Sequence, residues 1–475
     1  MGGSVSLVGR IRVVVAVTAV VLGCVVAASS VSAGTRAAQA TQELTITVSD
    51  GTKLACGLVL PGGSPPAGGW PGVLLFHGLG QDHQYMETIA NAALAPVGFA
   101  SLMCDARGTG ASGGTFGLDG PNEVQDARDL FNSFSARSDV SDTQIGAFGL
   151  SLGGGVVWNA AVAGVPFKAI VPAITWTDLG AALNPNGVPK GGEIAQLAQV
   201  TPPSRWDPSL NQARIDLAGG VVTPAVKSIE AARSWRSKLH SLAVPTLLLQ
   251  GRHDFLFDID QALAAYKLLA GPKRLYIGDL GHPPASNPAA ELPTYLGEAV
   301  TWFGHYLAGV GSVRGGVELA HDPWDGSTTP YSALPGTRHI SVNLPGSKRI
   351  AANGSVGRFV RPTGGPLETF GNSSLSVRYS RNSALTEIRA MVSVKGSTVV
   401  TVGAAKIRGG SGVVRIPLVD EAVLLPRGHR LAVTVGGISA DGVYLALGVG
   451  PGSPPAVTIG RITLNLSLLK KTVSR

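Results

Sequence analysis

From Glu43 to about Leu307, short apolar runs alternate with stretches whose apolar residues recur every three to four positions. The runs Leu54 to Leu60, Val73 to Phe76, Phe99 to Cys104, Ile145 to Phe148, Ala169 to Val171, Thr246 to Gln250 and Arg274 to Ile277 have the length of buried strands. Between them, Pro121 to Phe134 sets Val124, Ala127, Leu130, Phe131 and Phe134 on one helical face, with Pro121 suited to the first turn. Tyr295 to Leu307 predicts a further helix. Strand alternating with helix predicts a mostly parallel sheet covered on both faces, an α/β domain over 43–310. Between about Thr175 and Ser241 the rhythm breaks into a Pro-, Gly- and Ala-rich stretch with several short helices, which predicts a cap inserted over the sheet. After about Asp325 the helical period disappears. Ile340 to Leu344, Ser376 to Tyr379, Ser397 to Val402, Arg430 to Val435 and Ile462 to Leu468 alternate apolar with polar residues, and Gly-rich turns separate most of them, predicting a β-sandwich over 325–475.

The start of the chain reads as an address. Arg10 and Arg12 precede an apolar run from Val13 to Ala28 and the small-residue ending Val31-Ser32-Ala33, the pattern of an export signal over 1–33. The run falls short of the roughly 20 residues that cross about 30 Å of hydrocarbon. Within it, Val21-Leu22-Gly23-Cys24 resembles a bacterial lipobox, in which Cys24 would be acylated, so the protein is expected to be secreted or attached to the cell envelope. In an oxidising compartment the other two cysteines, Cys56 and Cys104, either pair or remain two small buried thiols.

Candidate chemistry centres on Gly149-Leu150-Ser151-Leu152-Gly153, which fits G-x-S-x-G, a sharp strand-to-helix turn that exposes a nucleophilic serine. With 39 serines and 64 glycines the bare pattern is expected about 0.7 times by chance, and it does recur at Gly110 to Gly114. Context separates the two: Ser151 follows a strand and precedes the helix-compatible Val156 to Val162, whereas Ser112 has no such helix after it. A serine needs a histidine to take its proton and a carboxylate to orient that histidine, in the chain order Ser, acid, His. Asp254 follows the strand Thr246 to Gln250, at the end where parallel sheets place their sites. His282 follows the strand Arg274 to Ile277, and His253 is the rival base. Asp258 and Asp260 fall at a helix start, where capping is their expected role. For the oxyanion, the N–H of Leu79, with that of Gly80 as second choice, would join that of Leu152; His77 is expected to support this loop. Gly108 to Gly113 also matches G-x-G-x-x-G, but three residues intervene after the strand and no helix opens behind it, so a nucleotide cofactor is not expected. No cluster at metal-ligand spacing appears, so no metal is expected either.

Asp105-Ala106-Arg107-Gly108-Thr109-Gly110-Ala111-Ser112-Gly113-Gly114 resembles the D-x-R-G-x-G-x-S-x-G loop of α/β-hydrolases related to X-prolyl dipeptidyl peptidase and cocaine esterase. With the turn at Ser151, Gly251 to Asp254, the His282 loop and the β-rich end, the resemblance covers most of the chain after residue 33. It implies an α/β-hydrolase core, a helical cap, a jelly-roll C-terminal domain, and hydrolysis of ester or amide bonds through an acyl-enzyme without a cofactor. Many relatives carry Tyr after the nucleophile and a Tyr hydroxyl in the oxyanion hole; here Leu152 and His77-Gly78-Leu79 stand there. The expected substrate is a small-molecule ester, with an X-Pro dipeptide amide second. The alternative from another class is an envelope-binding protein on a hydrolase fold.

Composition changes this picture in one respect. With 44% hydrophobic and 14% charged residues the chain is not of the disordered class. The formal net charge of +8 conceals two opposite parts: residues 34–335 carry 18 Lys and Arg against 25 Asp and Glu, and residues 336–475 carry 18 against 5. A basic β-domain on an exported enzyme suggests attraction to an anionic cell-envelope polymer rather than nucleic acid, or solvated charge without a partner.

Overall fold

A computed structural model describes residues 40–361, 366–381, 386–394, 399–438, 440–445 and 455–472. The expected signal and Cys24 lie outside these residues. The first part of the chain forms β1 (Gln42–Thr47), β2 (Lys53–Val59), β3 (Trp70–Phe76), β4 (Ala100–Cys104), β5 (Val140–Leu150), β6 (Ile170–Ala173), β7 (Thr246–Gly251), β8 (Lys273–Gly278), β9 (Gly316–Ala320) and β10 (Thr328–Tyr331). They make one sheet in the order β1-β2-β4-β3-β5-β6-β7-β8-β9-β10. Every pair from β4 to β9 is parallel, while β1, β2 and β10 join antiparallel at the edges. Almost every residue of β4, β6 and β7 is buried, as parallel strands covered on both faces require.

Helices α1 (His83–Ile89), α2 (Pro121–Ser135), α3 (Leu152–Val162), α4 (Leu179–Leu183), α5 (Gly191–Leu197), α6 (Pro208–Ala218), α7 (Pro224–Ala232), α8 (Ile259–Leu268) and α9 (Leu292–Ala308) follow in chain order. The α1 and α9 side chains pack on one face of the sheet, and those of α2, α3 and α8 on the other. The cap expected over 175–241 contains α4 to α7, and three of its helices start on Asp178, Asp207 and Thr223, whose side chains accept from the first-turn N–H groups.

The sandwich begins later than the residue 325 expected from sequence, and the hydrolase sheet ends later than residue 310. The strands on either side of residue 325 are only four and five residues long, and pairing assigns β9 and β10 to the first sheet. Eight longer strands then form two antiparallel sheets. One runs Thr337–Leu344, Pro455–Leu469, Ser374–Arg381, Ser411–Pro417; the other runs Ser355–Val360, Leu431–Gly436, Glu387–Val394, Val399–Lys406. Taken in chain order these are strands one, eight, three, six and two, seven, four, five, the winding of a jelly roll. Their inward side chains form a separate core.

A further apolar cluster joins the parts: Val188 of the cap and Phe255 of the loop after β7 pack with Val402, Val419, Val443 and Tyr444 of the sandwich. The cysteine pairing that the sequence left open is made. Cys56 and Cys104 are register partners in β2 and β4 and form a disulfide.

Candidate active site

Ser151 stands between β5 and α3 with φ 52° and ψ −113°, a conformation that a non-glycine residue adopts only when its surroundings impose it. The neighbouring glycines are needed for space. A Cβ on Gly149 would lie 2.1 Å from the Gly153 carbonyl oxygen, and one on Gly153 would lie 2.0 Å from that of Phe76. The turn is tied to the next strand by the Ser151 N–H, which donates to Ala173 at 2.9 Å.

The structure brings Ser151, His282 and Asp254 together from the ends of β5, β8 and β7. Ser151 Oγ lies 2.8 Å from His282 Nε2, and His282 Nδ1 lies 2.8 Å from Asp254 Oδ2. Asp254 is fully buried. Its Oδ2 also accepts from the His282 N–H at 3.0 Å, and its Oδ1 accepts from the N–H groups of Leu256 at 3.0 Å and Phe257 at 2.8 Å. Four donors on a buried carboxylate hold it in one orientation. Burial by itself pushes the His282 imidazole towards its neutral form, but the charge and hydrogen bond of Asp254, with Glu193 adding, raise it above its ordinary value. The edge of the Phe257 ring meets the imidazole at 5.2 Å between centroids.

The loop after β3 lies beside this turn: a Cβ on Gly78 would be 3.5 Å from the Leu150 carbonyl. His77 holds it, its Nδ1 donating to the Gly78 carbonyl at 2.7 Å and its Nε2 accepting from the Ala106 N–H at 2.9 Å. Neither ring nitrogen is left for a base. The N–H groups of Leu79 and Leu152 have no hydrogen-bond acceptor among the described residues, the state expected of donors awaiting an oxyanion. Val200 of the cap packs on Gly80, whose φ of +82° favours glycine.

The other sequence candidates sit elsewhere. His253 Nδ1 lies 2.8 Å from Asp279 and its Nε2 3.5 Å from Asp322, an arrangement that engages both ring nitrogens away from Ser151. Ser112 is buried, donates to the Asp105 carbonyl at 2.7 Å and accepts from the Ala55 N–H at 2.9 Å. In the same loop Asp105 accepts from both the backbone N–H and Nδ1 of His83, and Arg107 pairs with Asp126 and Asp50. Asp258 precedes α8 without capping it through its side chain.

Two residues of the cap carried no sequence signal. Glu193, in the first turn of α5, is near enough to His282 to affect its charge; burial raises the Glu193 carboxyl to about 7 against the pull of Lys190 and His282. Lys190, just before α5, is buried, and its Nζ donates to the carbonyls of Phe255 and Leu256 at 2.6 and 3.2 Å. Neither belongs to a motif, and cap loops carry no period from which their direction could be read.

A strained serine above a parallel sheet, with a histidine and an acid at the ends of later strands, defines the α/β-hydrolase class. Residues 50–284, a segment that spans Ser151, Asp254 and His282, match the family model described as X-Pro dipeptidyl-peptidase (S15 family). The match and the fold together make the chain a hydrolase, with a site of the kind that serine hydrolases use. Similar solved structures include a CocE/NonD family hydrolase from Staphylococcus aureus (TM-score 0.67, 14% identity, 90% of this chain and 93% of that one). An alpha-amino acid ester hydrolase has TM-score 0.66 and 14% identity over 94% of this chain and 98% of that one. An aminopeptidase from a marine sediment Thaumarchaeota archaeon has TM-score 0.63 and 12% identity over 91% and 96%. At these identities the likeness is one of fold. No curated protein matches the chain in sequence.

Proposed function

We propose that Ser151 is the nucleophile, His282 the base and then the acid, and Asp254 the residue that orients His282, in the hydrolysis of a small-molecule ester. The observation that carries this is the 2.8 Å contact between Ser151 Oγ and His282 Nε2, backed by the buried Asp254. Ser151 Oγ attacks the carbonyl carbon as its proton passes to His282 Nε2. The oxyanion that forms takes the N–H groups of Leu79 and Leu152. Collapse expels the leaving group with the proton from His282 and leaves an acyl-serine. A water molecule, deprotonated by the same nitrogen, releases the acid and restores the serine. Covalent labelling with a fluorophosphonate probe tests the assignment: the wild type labels and Ser151→Ala does not. Absence of wild-type labelling would support the rival reading of a non-catalytic binding protein.

A second reading, cleavage after an X-Pro dipeptide, has the matched family description and Glu193 in its favour. A carboxyl in the cap near enough to His282 to act on its charge offers a partner to an acyl group that carries a free amine. Comparing a short acyl ester with a Pro-linked dipeptide amide orders the two; strong preference for the amide overturns the first reading.

We also propose that the protein acts outside the cytoplasm. The Cys56–Cys104 disulfide supports this, since such bonds persist in oxidising compartments. The basic part has a surface suited to an anionic envelope polymer: of the five acids in 336–475, Glu368, Glu387, Asp420 and Glu421 are buried, while Arg378, Arg415 and Arg461 are exposed. Co-sedimentation of the whole protein with anionic cell-wall material at low salt tests the contact, and absence of binding leaves the charge without a partner.

A further inference from the structure

The loop after β7 contains an arrangement that joins the cap to the catalytic acid. The carbonyl of Phe255 and the N–H of Leu256 are the two ends of one peptide group, and the carbonyl of Leu256 and the N–H of Phe257 are the ends of the next. Lys190 Nζ takes both carbonyl ends, at 2.6 and 3.2 Å. Asp254 Oδ1 takes both N–H ends, at 3.0 and 2.8 Å. Two consecutive peptide dipoles are therefore held between an ammonium group and a carboxylate, each oriented as those charges favour. Hydrogen bonds in such a series polarise one another, and at low local dielectric the effect is larger than in water.

Lys190 is 1% exposed and wholly enclosed. Burying a lysine is costly, and the usual remedy is a salt bridge. Here no ion pair with Lys190 forms among the described residues, although Asp258, Glu193, Asp254 and Glu421 are near enough to act on its charge, and the nitrogen is spent on two carbonyls. Its backbone is fixed independently: the Lys190 N–H donates to Leu183 at 2.7 Å, its carbonyl accepts from Ile194 at 3.1 Å, and Gly192 donates to Val443 of the sandwich at 3.0 Å.

We propose that Lys190 is a positioning residue of the cap, which through the peptide groups 255–256 and 256–257 sets the orientation and hydrogen bonding of Asp254, and so of His282. This rests on the proposed roles of Asp254 and His282. It makes the cap part of the catalytic apparatus as well as a cover over the pocket: a displacement of the 190–193 segment slackens the support of Asp254 without touching Ser151.

The test is a double-mutant cycle on the whole protein, read by steady-state kinetics and fluorophosphonate labelling rate. Lys190→Met, close in volume and without a donor, is expected to lower kcat about 10- to 100-fold with KM changed less than threefold, and to leave the melting temperature within a few degrees. Lys190→Gln, which keeps an N–H donor, is expected to recover part of the loss. Because Lys190 acts through Asp254, Lys190→Met combined with Asp254→Asn is expected to be no slower than Asp254→Asn alone. Wild-type kcat in a folded Lys190→Met protein overturns the proposal, as do losses that multiply in the double variant. Unfolding of both Lys190 variants also overturns it, assigning Lys190 to the core. Failure of the wild type to label instead removes the triad reading itself, so the two failures are distinguishable.

Discussion

Ser151 Oγ and His282 Nε2 stand 2.8 Å apart although 131 positions separate them in the chain. The contact requires the ends of β5 and β8 to coincide, with that of β7 bringing Asp254 to the same histidine, and it sets the first expectation. Ser151→Ala and His282→Ala should each abolish fluorophosphonate labelling and lower ester hydrolysis by at least about 10⁴-fold, and Asp254→Asn should lower kcat by about 10⁴-fold. Residual labelling of Ser151→Ala at the wild-type level would move the nucleophile elsewhere.

The pH dependence follows from the same pair. His282 acts as base only when neutral, and Asp254 and Glu193 keep it protonated to higher pH than an ordinary imidazole. The acid limb of the kcat/KM profile should therefore have its midpoint above about 6.5, and Asp254→Asn should shift it downwards. A midpoint below that value in the wild type would contradict the arrangement.

His253 is a separate, structural titration. Asp279 and Asp322 outweigh the burial that would lower it and raise it to about 9. A group raised in the folded state stabilises fully below its unfolded value of about 6.5, and the stabilisation is lost as pH rises through about 9. On the order of 3 kcal/mol is at stake. Thermal melts at pH 6 and pH 10 should show wild type well above His253→Gln at the lower pH, the gap closing at the higher.

The disulfide closes a loop with a sequence separation of 48 between its cysteines. Replacing both by Ala should cost about 2–4 kcal/mol. Denaturant titration of the double variant, and of the wild type with and without reductant, measures this. Because Cys104 directly precedes Asp105, which holds His83 at the start of α1, the loss should also reduce labelling at Ser151.

Gly153→Ala places a Cβ 2.0 Å from the Phe76 carbonyl, backbone that cannot withdraw without moving β3. A loss of several kcal/mol and of activity is expected, visible as a lowered melting temperature or insoluble protein. Gly297→Ala, in the interior of α9 where nothing lies within 4 Å of the added carbon, is the control and should melt at or slightly above the wild type.

Much of the site was legible in the chain because its chemistry is local. Ser151 announces itself through the glycines that its strained turn requires, and Asp254 and His282 stand just beyond apolar runs that form β7 and β8. Other features depended on proximity that no local pattern encodes. Neither β9, between the two expected domains, nor β10, inside the expected sandwich, carries a pattern that says which sheet it joins; pairing with β8 and with each other places both in the first sheet. Arg252, for which the chain offers no local signal, is wholly buried and binds Glu368 and the Ala422 carbonyl of the sandwich. Glu193 and Lys190 lie in a cap whose short helices gave no direction to their side chains.

The amino-acid sequence by itself determined the alternation of strand and helix, the change to an all-β region and the identity of the three candidate triad residues, because apolar period, glycine at a crowded turn and position after a strand are written residue by residue. Only the tertiary structure decided that Cys56 and Cys104 pair, that His253 is engaged by Asp279 and Asp322 away from Ser151, and that a cap lysine stands behind Asp254. Those outcomes turn on the distances between chain segments brought together by burying apolar surface, and such distances have no counterpart in local order along the chain.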